Sequence, residues 1–473
     1  MALIDIGDLT LSGGASTLQQ QLFHAIRAKI VKSLWPLQGK LPSTRKLASE
    51  LNVSRNTVTA AYEQLLAEGY IESKQGSGFY VAVELPDKYV PATVTQGTSS
   101  VESNCFDINS SFAPGVPDLS QFPLGKWQRL LQRHVLRPVL LGNQNIQGSE
   151  ALRAALSDYL SSSRSVHCSA QRIIVTSGAQ QALTIAMAAT LAQGEKVLME
   201  QPGYAQMTKV LELNQYQLEP LTVHQETGFE LSDVLKSTAR ALYITPSNQY
   251  PMGTTINTEN RLKLIEWAAS NQGWIIEDDY DSEFQFAHRP YTSLQGLAGQ
   301  MGLDEHVIYI GSLSKVMFNG LRLGYMVVPD NLIQRCLEIK DAMSGDSPSH
   351  TQEALADFIA EGHLLRHIRK MRRLYKQKHE IVSQAIEQAF GGQVTIISQA
   401  AGLHVTLKWN GGIDEQEWVG RAAKQGIVLR PLSYYEHNKE SHREWQAVVL
   451  GFGNTPLQEI EPGIQALARL FES

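Results

Sequence analysis

The sequence predicts two folded segments of different class: three short helices with a hairpin, then a mainly parallel α/β sheet followed by a smaller α+β subdomain. Three observations carry this. Residues 15–83 fall into short helical periods closed by a glycine-bearing hairpin. Residues 84–105, "ELPDKYVPATVTQGTSSVESNC", hold prolines with many Ser and Thr and no sustained period, as a linker does. From residue 106 to 473, apolar runs of strand length alternate with helical stretches until about residue 345, where longer helices and two more strands begin.

In the first segment Leu22, Phe23, Ile26, Ile30 and Leu34 recur every three or four positions and predict a helix from Leu18 to Leu34. A second helix is expected from Thr44 to Leu51. A third follows Ser54 as its N-cap, buries Val58, Ala61, Tyr62 and Leu65, and stops at Gly69. "YIES", a "KQGSG" turn and "FYVAV" then form the hairpin. Three helices and a hairpin with a tight turn between the last two helices form the winged helix-turn-helix arrangement, whose third helix enters the major groove of DNA. Arg55, Asn56 and Thr57 stand at that helix's start, where Arg reads guanine and Asn adenine by paired hydrogen bonds. Ser43, Thr44 and Arg45 open the second helix with free backbone N–H groups and a cation for phosphate, and Ser54 opens the third. Lys74 and Gly78 suit a wing along the DNA backbone.

Bulk properties neither demand nor forbid this. The chain has 473 residues, 43% hydrophobic and 19% charged, which excludes a disordered or fibrous protein. Its net charge of −6 is uneven: residues 1–83 hold 8 Lys and Arg against 6 Asp and Glu, and the rest 33 against 41. Contact with nucleic acid is therefore expected to be local to the first segment. Cys105, Cys168 and Cys336 are far apart, so neither a disulfide framework nor a zinc site is expected. The acidic amino terminus is unlike a signal peptide and no apolar run approaches the roughly 18 residues of a membrane span. A soluble, cytoplasmic protein without membrane contact is the expectation.

The second segment carries an enzyme-like constellation. Lys315 lies just past the strand "VIYIGS", between Ser312 and Ser314 on one side and Arg322 on the other: an amine for a Schiff base beside donors for a phosphate. Pyridoxal 5'-phosphate (PLP) requires both, together with an acid for its ring nitrogen, a donor for its phenolate oxygen and a stacking ring. Asp278 and Tyr280 of "IIEDDYDSEF" are spaced to face one way at a strand end, Asn248 of "TPSNQYPMG" offers a second donor, and Tyr204 of "EQPGYAQ" offers the ring. Gly178, Ala179 and Gln180 begin a helix whose amides suit phosphate. A charged loop or a helix start is common when taken singly. Collected at strand ends of one α/β sheet, where such sheets bind ligands, they predict a cofactor site. The pair His363 and His367 has metal-ligand spacing but no third ligand, and the basic run Arg366, Arg369, Lys370, Arg372 and Arg373 reads as a solvated helix face.

"GKLPSTRKLASELNVSRNTVTAAYEQLLAEGYIESKQGSGFYV" resembles the winged-helix domain of GntR-type bacterial repressors, and residues 106–473 resemble fold-type I aminotransferases. The fusion, with "ITPSNQYPMG", "EDDYDSEF", "SLSKVMFNGLRLGY" and "GHLLRHIRKMRRLY", is similar to the MocR subfamily of transcriptional regulators. The resemblance implies Lys315 as the Schiff-base lysine, Asp278 as ring-nitrogen partner, Arg322 as phosphate ligand and Arg430 of "GIVLRPLSYY" as the grip on an amino acid's carboxylate. Gln206 stands where some members carry an arginine, which makes a GABA-like effector less expected. The expected function is a PLP-dependent regulator, homodimeric on operator DNA, sensing an amino compound or PLP itself, with residual or no transaminase activity. A working aminotransferase with an appended DNA-binding head is the alternative.

Overall fold

The computed structural model describes residues 4, 17–83, 110–166, 168–286, 291–437 and 443–472. The linker expected at 84–105, Cys105 included, lies outside the described residues. The chain divides into two compact units, residues 1–103 and 104–473.

In the first unit α1 (Leu18–Val31), α2 (Thr44–Glu50) and α3 (Arg55–Ala67) precede strands β1 (Ile71–Lys74) and β2 (Gly78–Val81). The expected apolar positions Leu22, Phe23, Ile26 and Ile30 of α1 meet Leu47, Val58, Ala61, Tyr62 and Leu65 in one core. Leu34 departs from the expectation. The helix ends at Val31, Ser33 turns into the left-handed region at φ 52°, and Leu34 is left 59% exposed while Trp35 takes the buried place. β1 and β2 pair antiparallel from Ile71↔Val81 to Lys74↔Gly78, turning through Gly76, whose φ of 73° a side chain would resist.

The second unit is built on seven strands: β3 (Ile173–Thr176), β4 (Lys196–Gln201), β5 (Gln217–Thr222), β6 (Ala241–Ile244), β7 (Trp274–Asp279), β8 (Val307–Ser312) and β9 (Gly324–Val327). Their order is β3-β9-β8-β7-β6-β4-β5. Every pair from β8 to β5 is parallel, and β9 alone runs against its neighbours. Helices cover both faces, so the strands are apolar on both sides and alternate residues join different cores. Tyr243, Ile276 and Ile310 pack on one side with the helix Ala179–Thr190, whereas Leu242, Ile244 and Ile275 pack on the other with the helix Thr258–Ser270.

The expected change of pattern after residue 345 is a pair of helices, Ser349–Ala360 and His363–Phe390, broken at Gly362. They lead to an antiparallel sheet of β10 (Thr395–Ile396), β11 (His404–Asn410), β12 (Leu429–Pro431) and β13 (Trp445–Gly451) in the order β10-β11-β13-β12. Trp409, Trp418, Phe390 and Phe471 meet edge to face and close this sheet against the helices.

Candidate cofactor site and candidate nucleic-acid interface

Residue alternation decides what the carboxylates of "EDDYD" do. In β7, Glu277 and Asp279 point to one face and Asp278 to the other, with Tyr243 of β6 beside it. Glu277 accepts hydrogen bonds from the backbone of Leu294 and Gln295 at 2.8 and 2.9 Å. Asp279 binds the buried Arg164 guanidinium at 2.6 Å. Both are thus tied to structure. Asp278 instead lines a cavity of about 350 Å³. Its Oδ2 accepts from the Tyr243 hydroxyl at 2.8 Å, while its Oδ1 is buried without a hydrogen-bond partner. Burial pushes its carboxyl up to about 6, opposed by the Tyr243 hydrogen bond and by Lys315.

The same cavity gathers Ala179, Gln180, Tyr204, Tyr280, Ser312, Ser314, Lys315, Arg322 and Arg430. They come from the ends of four strands, β3, β4, β7 and β8, and from β12. The Lys315 ammonium lies 4.3 Å from the Tyr280 ring centre and 5.6 Å from that of Tyr250. Burial draws its pKa down, and Asp281 and Asp278 hold it up. Arg322 has φ 51°, a left-handed conformation that costs a side-chain-bearing residue energy. It lies over the start of the helix Ala179–Thr190, where a Cβ on Gly178 would come within 3.6 Å of the guanidinium. No side chain caps that helix start, so its first amides are available to an anion.

Asn248 sits beside the cavity, bonded to one of its lining side chains. It is 3% exposed, and its amide nitrogen donates to the Tyr280 hydroxyl at 3.1 Å and to Asp281 Oδ1 at 3.2 Å. It is not among the side chains lining the cavity, and its bond to Tyr280 links it to one that is. Sequence reasoning missed Tyr243, Tyr250, Tyr434 and Tyr435, which line the cavity too. Tyr250 and Tyr435 join hydroxyl to hydroxyl at 3.0 Å, and the Arg430 guanidinium lies 5.4 Å from the Tyr434 ring. Tyr250 and Tyr435 sit in motifs already singled out, "SNQYP" and "RPLSYY", but only the fold brings them together. Gln206 is present as expected and accepts from Gln180 at 2.9 Å.

His363 bonds to Glu361 at 3.1 Å, and His367 is buried edge-on to Phe122, with burial drawing its pKa down to about 4. Arg372 of the basic run donates to the Glu283 carbonyl at 2.7 Å.

In the first unit Arg45, Arg55 and Asn56 are exposed at the starts of α2 and α3. Ser43 and Ser54 are exposed as well, but each hydroxyl accepts a backbone N–H as a helix cap, from Lys46 at 3.2 Å and from Thr57 at 3.1 Å. Thr44 and Thr57 are half-buried, and the Thr57 hydroxyl bonds that of Ser54 at 2.8 Å. The caps present the helix starts, leaving Arg55 and Asn56 as the outward side chains. Lys74 is engaged locally, 3.1 Å from Glu72 and 4.7 Å from the Tyr80 ring, with Gln38 as a further partner; Gly78 follows the turn at φ 108°.

Among the described residues, no helix is long and apolar enough to cross a membrane. The gntR family of bacterial regulatory proteins matches residues 18–81, and the class I and II aminotransferase family matches residues 113–443. The chain is 33% identical to a probable rhizopine catabolism regulatory protein, MocR of Rhizobium meliloti, over 96% of this chain and 94% of that protein. It is 34% identical to the HTH-type transcriptional regulator YdeL of Bacillus subtilis, over 95% and 96%. The second unit shares the fold of an α-aminoadipate aminotransferase, LysN of Thermus thermophilus, with a TM-score of 0.70 and 24% identity over 77% of this chain and 93% of that one. The chain therefore belongs to the MocR type of GntR-family transcriptional regulators, in which a helix-turn-helix head is joined to a domain of the class I and II aminotransferase family.

Proposed function

We propose that the second unit binds PLP in this cavity and that the bound cofactor, alone or with an amino compound, governs how the head engages operator DNA. One observation carries the reading: a buried carboxylate oxygen without a partner, on Asp278, opens on the same cavity as Lys315 and Arg322. An unmet buried acceptor is costly, and a protonated ring nitrogen satisfies it. When bound, PLP supplies an aldehyde that takes up amines and a ring that withdraws electrons. Every other contribution belongs to the chain. Lys315 provides the amine, kept partly desolvated so that its uncharged form is accessible. Asp278 holds the ring proton, Tyr280 donates to the phenolate oxygen, and Tyr204 walls the ring. Arg322, Ser312, Ser314 and the amides of Ala179 and Gln180 receive the phosphate. Arg430 offers a cation to an effector's carboxylate. In the head, Arg55 and Asn56 read bases while Arg45 and the α2 amides hold phosphate, and a homodimer brings two heads to two half-sites.

Lys315→Ala is expected to remove the visible absorption that PLP acquires on binding; survival of that band would overturn the lysine assignment. A second reading, a working aminotransferase, draws on the completeness of the set, since Lys315, Asp278 and Arg430 line one cavity. Incubation with a panel of amino acids and a keto acid decides between them. Steady product formation favours the enzyme, and none favours a sensor.

A further inference from the structure

Asp281 is 1% exposed, and its Oδ1 accepts from the Asn248 amide while its Oδ2 has no hydrogen-bond partner. Burial pushes the Asp281 carboxyl up to about 7, while Lys315 and the Asn248 amide favour its ionised form, which only accepts and so fixes which end of the Asn248 amide faces it. With the nitrogen end turned inward, one N–H goes to Asp281 and the other to the Tyr280 oxygen, at 3.2 and 3.1 Å. The Tyr280 oxygen is then occupied as an acceptor, and its own hydrogen is left to point into the cavity. A reversed amide would set its oxygen against the carboxylate and draw that hydrogen away from the cavity. Gly402, which leads into β11, packs against this pair with no room for a side chain: a Cβ there would lie 2.3 Å from Asp281 Oδ2 and 3.0 Å from the Asn248 nitrogen.

We propose that Asp281 is a positioning residue of the cofactor cavity, acting through the Asn248 amide to aim the Tyr280 hydroxyl at the anion bound there. The inference rests on the PLP reading above. It makes Asn248 a link in a relay and gives Asp281 a part in cofactor binding without contact.

A double-mutant cycle on the full chain tests it, with the PLP dissociation constant read from absorption or fluorescence titration. Asp281→Asn lets the amide reverse and is expected to weaken PLP binding about tenfold, the scale of one hydrogen bond to a charged group. Tyr280→Phe is expected to weaken it by a similar factor. In the Tyr280→Phe background, Asp281→Asn should then have almost no further effect. Asn248→Ala, which cuts the relay in the middle, should give the same coupling and serves if Asp281→Asn does not fold. Multiplying effects in both cycles, or wild-type affinity in Asp281→Asn, would overturn the relay alone. A wild-type chain without Lys315-dependent PLP binding would overturn the cofactor reading and this one with it.

Discussion

The two units hold their functional side chains by opposite means. In the head, Arg45, Arg55 and Asn56 are exposed at the starts of two helices, each set by a serine cap one or two residues away. In the large unit, Lys315, Asp278 and their neighbours are collected from distant strand ends into one cavity, where burial displaces their proton equilibria. Surface reading groups cost little to hold and are replaceable singly. Cavity groups are expensive without a partner, and the proposed cofactor would supply one.

That contrast is sharpened most by Asp278→Ala. Removing the partner of a protonated ring nitrogen is expected to weaken PLP binding on the order of a hundredfold, the upper range for a charge-assisted hydrogen bond, with operator contacts of the head intact. A spectroscopic PLP titration checks it.

The next effect is on stability against pH. The folded pKa of Asp278, about 6, lies above its ordinary 3.8, so the folded chain holds this proton more tightly than the unfolded one. The stabilisation is complete below about pH 4 and is lost as pH rises through about 6, on the order of 3 kcal/mol for a shift of this size. Thermal unfolding of the cofactor-free chain across that window should lose this share of its slope in Asp278→Asn. An unchanged slope would mean that the carboxyl is not desolvated as the cavity implies.

Arg55→Ala should weaken operator binding about tenfold and relax specificity at one base pair, while leaving PLP absorption unchanged. Competition titrations against mismatched duplexes read both effects. The smallest effect belongs to the cap: Ser54→Ala should cost the head about 1 kcal/mol in denaturant unfolding, and Ser54→Gly only a few tenths. Equal losses for the two would argue that the hydroxyl's bond to the Thr57 amide is not what stabilises α3.

The same contrast explains what the sequence made legible. Caps, helical periods and the hairpin glycines act within a few residues, so α2, α3 and the wing are readable at nearly their observed bounds. The end of α1 was not, because Leu34 keeps the apolar period while the backbone turns at Ser33, and Trp35 fills the core instead. In the large unit, Asp278 and Tyr280 could be picked out at the end of the apolar strand β7, and Lys315 and Arg322 in the loop between β8 and β9. Tyr243 lies inside a strand and reads as core; only the pairing of β6 with β7 sets its hydroxyl on Asp278. Asn248 has the right chemistry in the right loop. Its bonds to Tyr280 and Asp281, and its packing beside Gly402 more than a hundred residues farther along the chain, appear only in the fold.

The most direct test of the account is an operator titration of the full chain, on the promoter beside its own gene, with and without PLP and candidate amino compounds, in wild type and Lys315→Ala. The account predicts that the cofactor or its amino partner changes the operator dissociation constant of the wild type and leaves that of Lys315→Ala where it stands without cofactor. One operator affinity in all conditions and both proteins would contradict it.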